Sequence, residues 1–187
     1  MSTRHVGEPI ARVEDARLLT GQGRYVDDLL PGALEMAVLR SPHAHAKILS
    51  IEVEEVLDID GVHAVYTYED LPGAMADPLP LLIPHPDLTH GRTQYALAKD
   101  EVNYVGEAIA VVVANDRYIA EDAIERIDVQ YEILPPVVGV EAARAANHLV
   151  HPDVPGNVAA RMEQGFGDVQ AALAKAPHTL ELDFEIE

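Results

Sequence analysis

The sequence predicts an α+β protein, and three consecutive segments near its centre carry the prediction. EAIAVVVA, residues 107–114, is an almost unbroken apolar run, which is typical of a strand covered on both faces. Residues 117–127 repeat apolar side chains at helical spacing, with Asn115 or Asp116 as the expected N-cap. Residues 128–134 alternate with a period of two. A strand, a helix and a strand joined by short connections predict a βαβ or split-βαβ arrangement.

Two more strands are predicted upstream of this unit. LEMAVLR, residues 34–40, is an apolar run, and KILSIEV, residues 47–53, has an extended pattern. The SPHAHA stretch between them favours a hairpin or a close strand pair with the break at the corner. In the second run, Leu49, Ile51 and Val53 are expected to share one face.

The following segments predict a short helix, a strand and a long loop. VEEVLDIDG, residues 53–61, is typical of a short helix that ends at a glycine, and residues 62–68 predict a strand. Residues 72–92 contain five prolines and two glycines, which disfavour both helix and sheet. A loop of this length is usually functional, interfacial or mobile.

Three regions are expected along the chain. Residues 1–18 are a charged N-terminal extension, and residues 19–138 hold the predicted strands and helices of one domain. Residues 139–187 start as a linker with a brief alanine-rich helix at 140–146. A further helix follows, with Asp168 as the expected N-cap residue.

Composition limits the classes of function. The net charge is -19, from 32 acidic and 13 basic residues, so nucleic acid and anionic membrane surfaces are poor partners. The chain has no cysteine, which excludes disulfides and cysteine-ligated zinc or iron–sulfur clusters within it. No apolar stretch is of signal-peptide or membrane-spanning type, so a cytoplasmic protein without membrane insertion is expected.

The last ten residues, HTLELDFEIE, predict a half-buried strand. Apolar and acidic side chains alternate without interruption from residue 180 to residue 187. An unpaired strand with an apolar face is an aggregation hazard, so a docking edge for another polypeptide is expected. The predicted interface residues are the apolar members of the alternation: Leu180, Leu182, Phe184 and Ile186.

His43 and His45 are the most suggestive candidates for metal ligands. Two histidines at positions i and i+2 of an extended segment point the same way, and imidazole suits several transition metals. The alternative is that both rings make hydrogen bonds at a strand corner, because nothing in the spacing selects a third ligand. Glu35 and Glu107 are carboxylates near apolar runs, where burial raises a pKa.

Two glycine-containing stretches do not predict a nucleotide site. GQG at 21–23 lacks the third glycine and the preceding strand of a dinucleotide fingerprint, so a turn is expected. GFGD at 165–168 places an aspartate where an anion would bind, which favours helix capping. The residues therefore reveal no catalytic or cofactor-binding set.

Four motifs in order resemble a known family. TGQGRYVDDL, LRSPHAHAKILSIE, GVHAVYTYEDL and the long stretch from NYVGEAIAVVVA to LPPVV are similar to the α/β-hammerhead domain. This domain opens the molybdopterin-binding large subunit of the xanthine dehydrogenase, aldehyde oxidase and carbon monoxide dehydrogenase family. Residues 156–187 resemble the segment that leads from the hammerhead domain into the molybdopterin-binding domains.

The resemblance implies a scaffold within a larger enzyme. We expect a hammerhead domain with a mixed sheet and few helices, followed by the linker, helix and first strand of a molybdopterin-binding domain that another chain completes. The complex would be a molybdenum hydroxylase that oxidises an aldehyde, an N-heterocycle or carbon monoxide with water as oxygen source. Molybdopterin, [2Fe–2S] clusters and FAD belong to the complex, and none is expected to be bound by this chain alone.

The expected partners are a larger molybdopterin-binding chain and the iron–sulfur and flavin subunits. The resemblance leaves open whether the chain is a separately encoded subunit or a truncation. The alternative function is a stand-alone module of the same fold that binds a small molecule or a metal through His43 and His45.

Overall fold

The computed structural model describes residues 7, 9–30 and 32–184. The chain divides into two units, each compact by itself. The first unit contains residues 1–76 and 96–134, and the second contains residues 77–95 and 135–187.

The first unit contains two three-stranded sheets in the part of the chain that the structure describes, and every strand pair in them is antiparallel. The strands are β1 (Glu35–Arg40), β2 (Ala46–Glu52), β3 (Val62–Tyr66), β4 (Glu101–Val102), β5 (Ala108–Ala114) and β6 (Asp128–Ile133). The first sheet has the order β1-β5-β3, and the second has the order β4-β2-β6.

Helices are short and few, as the fold class predicts. They are α1 (Asp15–Leu19), α2 (Glu54–Leu57), α3 (Arg117–Ile124), α4 (Val140–Ala145) and α5 (Val169–Lys175). Single 3₁₀ turns occur at Val26–Asp28, Tyr68–Asp70, Gly73–Ala76 and Pro155–Asn157. The α+β class is confirmed.

The expected mixed sheet and βαβ arrangement are wrong. Strand β5 is central in the first sheet, and β6 pairs with β2 in the second. The two strands that flank α3 thus lie in different sheets, which excludes both the βαβ and the split-βαβ arrangement. An unbroken apolar run reports burial on both faces, and a central antiparallel strand has the same burial as a parallel one. The run therefore contained no information about strand direction.

Helix α3 covers one face of the first sheet. Of the two expected N-cap residues, Asn115 and Asp116, it is Asp116 that caps the helix, since its Oδ1 accepts a hydrogen bond of 2.9 Å from the amide of Ile119. Ala120 and Ala123 are fully buried and pack in clusters with Ala110, Val112 and other residues of that face. The small side chains let the helix approach the sheet closely.

The predicted hairpin between the first two strands is wrong, because β1 pairs with β5 and β2 pairs with β4 and β6. The prediction that Leu49 and Ile51 share one face of β2 is also wrong. A bulge shifts the register between Ile48 and Ser50, so Ile48 and Ile51 pack on the core while Leu49 is 62% exposed. One extra residue in the ladder reverses the alternation, which the sequence pattern alone does not show.

In the second unit, the proline-rich loop and the C-terminal region bond to each other. The amides of Thr89 and His90 donate to the carbonyl of Ala159, at 3.1 and 3.2 Å. Arg92 pairs with Asp153 at 2.5 Å. The loop is therefore held by backbone hydrogen bonds as well as by an ion pair.

The predicted terminal strand is not formed within the described residues 178–184. Leu180 is 83% exposed, Leu182 61% and Phe184 85%, while Ile186 lies outside the described residues. A strand needs a hydrogen-bonded neighbour, and this segment has no strand beside it in the described part of the chain. The predicted helix before it is confirmed, with Oδ1 of Asp168 accepting from the amide of Ala171 at 2.9 Å.

Candidate functional site

The bend between β1 and β2 is the most polar buried part of the first unit. Ser41 is 2% exposed, and its backbone is bonded in both directions: its amide donates to the carbonyl of Glu107 and its carbonyl accepts from Gly106, each at 2.8 Å. Its hydroxyl donates to the carbonyl of His43 at 2.8 Å and accepts from the amide of the same residue at 3.0 Å. We call residues 41–45 the corner.

The two candidate metal ligands have separate partners at the corner. Nε2 of His45, a residue 8% exposed, lies 3.2 Å from Oε1 of Glu101. The ring of His43 meets Tyr131 edge to face, with 4.7 Å between ring centroids. Residues 41–45 bend instead of running as an extended strand, so the i, i+2 rule does not hold.

Within residues 7, 9–30 and 32–184, no group of three or more histidine, aspartate or glutamate side chains is arranged to hold a metal ion. The geometry instead matches the alternative reading, hydrogen bonds and packing at a strand corner.

Glu107 is the buried carboxylate of this region, at 6% exposure. Desolvation by burial raises its pKa, and the negative charge of Glu101 acts in the same direction. Hydrogen bonds from the backbone of Asn103 and Tyr104 partly oppose that rise in pKa. The Asn103 amide lies 2.5 Å from Oε2. Glu35, the other carboxylate singled out from the sequence, is exposed at the start of β1.

The polar side chains at the corner make structural contacts within the first unit. Glu107 and His45 both direct their polar atoms to protein groups inside the first unit. A general base must face a substrate, and here the carboxylate faces a backbone amide. The sequence did contain a signal for the structural role of Glu107. A carboxylate at the start of a strand that is buried on both faces needs hydrogen-bond donors nearby.

A pocket beside α2 and α3 was not predicted from the sequence. It is lined by carboxylates with one arginine and two isoleucines: Glu55, Asp58, Asp60, Asp122, Arg126, Ile59 and Ile119. Molybdopterin carries a phosphate, which such a set of carboxylates repels. The described residues of this pocket therefore do not fit the cofactor of the resembled family.

In the described residues, no helix is both long enough and apolar enough to cross a lipid bilayer. The longest helix in this part of the chain is α3, which has eight residues.

Comparison with known proteins gives the family. Residues 20–135 match the family described as aldehyde oxidase and xanthine dehydrogenase, a/b hammerhead domain. The chain belongs to this family.

Relatives within the family are much longer than this chain. The 6-hydroxypseudooxynicotine dehydrogenase complex subunit gamma of Paenarthrobacter nicotinovorans is 37% identical over 94% of this chain and 22% of its own length. The carbon monoxide dehydrogenase large chain of Hydrogenophaga pseudoflava is 38% identical over 76% of this chain and 17% of its own.

Solved structures agree with this assignment. Quinoline 2-oxidoreductase from Pseudomonas putida 86 superimposes with a TM-score of 0.75 at 38% identity, covering 90% of this chain and 21% of that one. The chain thus spans about one fifth of the length of these relatives. The resemblance that the four motifs indicated is confirmed, as is the hammerhead fold.

Proposed function

We propose that this chain is the non-catalytic hammerhead portion of a molybdenum hydroxylase. Its role is to support the molybdopterin-binding portion, which oxidises an aldehyde, an N-heterocycle or carbon monoxide with water as oxygen source. Electrons leave that portion through [2Fe–2S] clusters to FAD on partner subunits. The setting we propose is the cytoplasm.

The observation that carries the proposal is the engagement of the polar groups at the corner. His45, Glu107 and Ser41 bond to other parts of the first unit. This engagement supports the proposal that the catalytic groups of the reaction come from elsewhere in the complex. Membership of a family that includes a carbon monoxide dehydrogenase large chain supports placing this chain in an oxidoreductase complex.

The interface that we propose with the molybdopterin-binding portion includes the C-terminal segment. Leu180, Leu182 and Phe184 are exposed on a segment whose alternating pattern is that of a strand. Burying one such side chain contributes roughly 1.5–3 kcal/mol, which offsets part of the entropic cost of ordering the segment beside a neighbouring strand. Ile186, the fourth predicted interface residue, lies outside the described residues.

Co-purification tests the proposal. A tagged copy of this chain, produced together with the molybdopterin-binding polypeptide, is expected to retain that polypeptide and its molybdenum through size-exclusion chromatography. Leu182→Asp is expected to weaken retention at least tenfold, because it places a charge on the apolar flank. Glu181→Gln, the matched control on the acidic flank, is expected to leave retention unchanged.

Two outcomes contradict the proposal. One is a wild-type chain that never retains the molybdopterin-binding polypeptide. The other is a chain that binds a metal or small molecule by itself through His43 and His45, as the alternative function requires.

A further inference from the structure

The first sheet has a second face that α3 does not cover, and we call it the outer face. Residues paired directly across an antiparallel ladder point to the same side. The outer face consists of six uncharged side chains in two paired rows across β1, β5 and β3: Met36, Val113 and Ala64 in one row, and Val38, Val111 and Tyr66 in the other.

The face of the first sheet that packs against α3 is buried, in contrast to the outer face. Ala37 pairs with Val112, and Val112 pairs with Val65, all on the side of α3. Val112 is fully buried and Ala37 is 8% exposed. None of the six residues of the outer face belongs to the buried clusters that the described residues form.

The outer face is covered at one end and open at the other. Ile109 points to the same side of β5 and is fully buried in the cluster of Ala46, Ala98 and Val102. Farther along the strand, Val111 and Val113 are half-buried, Tyr66 is 45% exposed and Met36 is 62% exposed. The apolar surface therefore continues out of the core into solvent.

The charge of the chain selects the kind of partner. A second copy also carries a net charge of -19, so two copies repel each other. Exposed acidic residues lie close in sequence to the paired rows, with Glu35 next to Met36 on β1 and Glu69 and Asp70 shortly after β3. These features select a partner surface with an apolar centre and a basic border, and Tyr and Met are side chains enriched at such interfaces.

We propose that the outer face packs against the molybdopterin-binding portion of the large subunit, through an apolar surface bordered by lysine or arginine. This inference rests on the proposed function and adds a second contact, separate from the C-terminal segment. The relatives carry about four fifths of their length beyond the part that this chain matches, which leaves ample surface to cover the sheet.

The test uses the complex of the full chain with the molybdopterin-binding polypeptide. Met36→Glu and Tyr66→Glu are expected to weaken the complex at least tenfold, measured by titration calorimetry. Leu49→Glu is the matched control, because Leu49 lies on the second sheet with the same 62% exposure as Met36. It is expected to change affinity less than twofold, and circular dichroism would show that all three variants fold.

A photo-crosslinker identifies what contacts the outer face without introducing a charge. p-Benzoylphenylalanine placed at Tyr66 is expected to crosslink to the molybdopterin-binding portion, and the same group at Leu49 is expected not to. A Tyr66 crosslink only to a second copy, or no crosslink in an intact complex, would overturn this inference and leave the proposed function standing. Failure of the wild-type chains to associate would count against the proposed function itself.

Discussion

Oε2 of Glu107 accepts a hydrogen bond of 2.5 Å from the backbone amide of Asn103, and the carbonyl of Glu107 accepts one of 2.8 Å from the amide of Ser41. One residue therefore fixes the turn between β4 and β5 and joins it to the corner before β2. The two sheets of the first unit meet at this residue, so its charge state bears on the stability of both.

The stability contribution of Glu107 depends on pH with a definite sign. Burial raises the pKa of its carboxyl above the ordinary value of 4.5. At pH values between 4.5 and the raised pKa, the folded protein binds more protons than the unfolded chain. The contribution of this group to stability is thus largest below the unfolded pKa and falls as pH rises through the folded pKa.

Glu107→Gln removes this dependence and keeps an oxygen that accepts from Asn103. We expect the free energy of unfolding of the variant, relative to that of the wild type, to increase from about pH 4 to about pH 7. Chemical denaturation at a series of pH values measures it. Glu52→Gln, at an exposed position on β2, is expected to show no such trend. A relative stability that does not change with pH would contradict the prediction.

His45→Ala is expected to destabilise the protein by about 1–3 kcal/mol, because it removes the bond to Glu101 and leaves a cavity at a position 8% exposed. His63 is an exposed histidine that lies 2.7 Å from Oδ1 of Asn115. His63→Ala is the control, and its effect is expected to stay within about 0.5 kcal/mol. Urea denaturation compares the two, and equal losses would refute a structural role of the corner.

Gly61→Ala is expected to destabilise the protein through backbone strain and through a steric contact. Gly106→Ala is the comparison, because it introduces the strain without the contact. Gly61 has φ +90°, and an added Cβ would lie 2.8 Å from Cδ1 of Ile119 on α3. Gly106 has φ +93°, but no atom beyond its chain neighbours lies within 4 Å of such a Cβ. Backbone strain costs about 1–2 kcal/mol at each position, so Gly61→Ala is expected to exceed Gly106→Ala by the steric contact. Thermal denaturation of both variants checks the order.

The two confirmed N-caps are expected to differ in their effect on overall stability. Asp116→Ala removes the cap of α3, whose Ala120 and Ala123 are fully buried, and is expected to cost about 1 kcal/mol. Asp168→Ala removes the same kind of bond from α5, which has no buried residue. Its loss is expected to unwind that helix locally, with global stability within about 0.5 kcal/mol of wild type. Denaturant titration and amide hydrogen exchange distinguish the two effects.

Several features of the fold followed from local sequence alone. The strand at 108–114, the helix at 117–124 and the strand at 128–133 lie where their periodicities placed them. Asp116 and Asp168 cap helices as predicted, because a cap depends on a side chain and an amide three residues away. The four motifs also indicated the family, since their order along the chain is itself a sequence property.

Tertiary structure alone decided which strands pair, where β2 bulges and which atoms meet at the corner. His45 and Glu101 are separated by 56 positions, and no local pattern relates them. Periodicity reports the spacing at which buried side chains recur along the chain. The pairing, register and direction of strands depend on groups that are distant in sequence. For the same reason Leu180, Leu182 and Phe184 have the pattern of a strand and remain exposed, because a strand requires a neighbour that the segment does not itself provide.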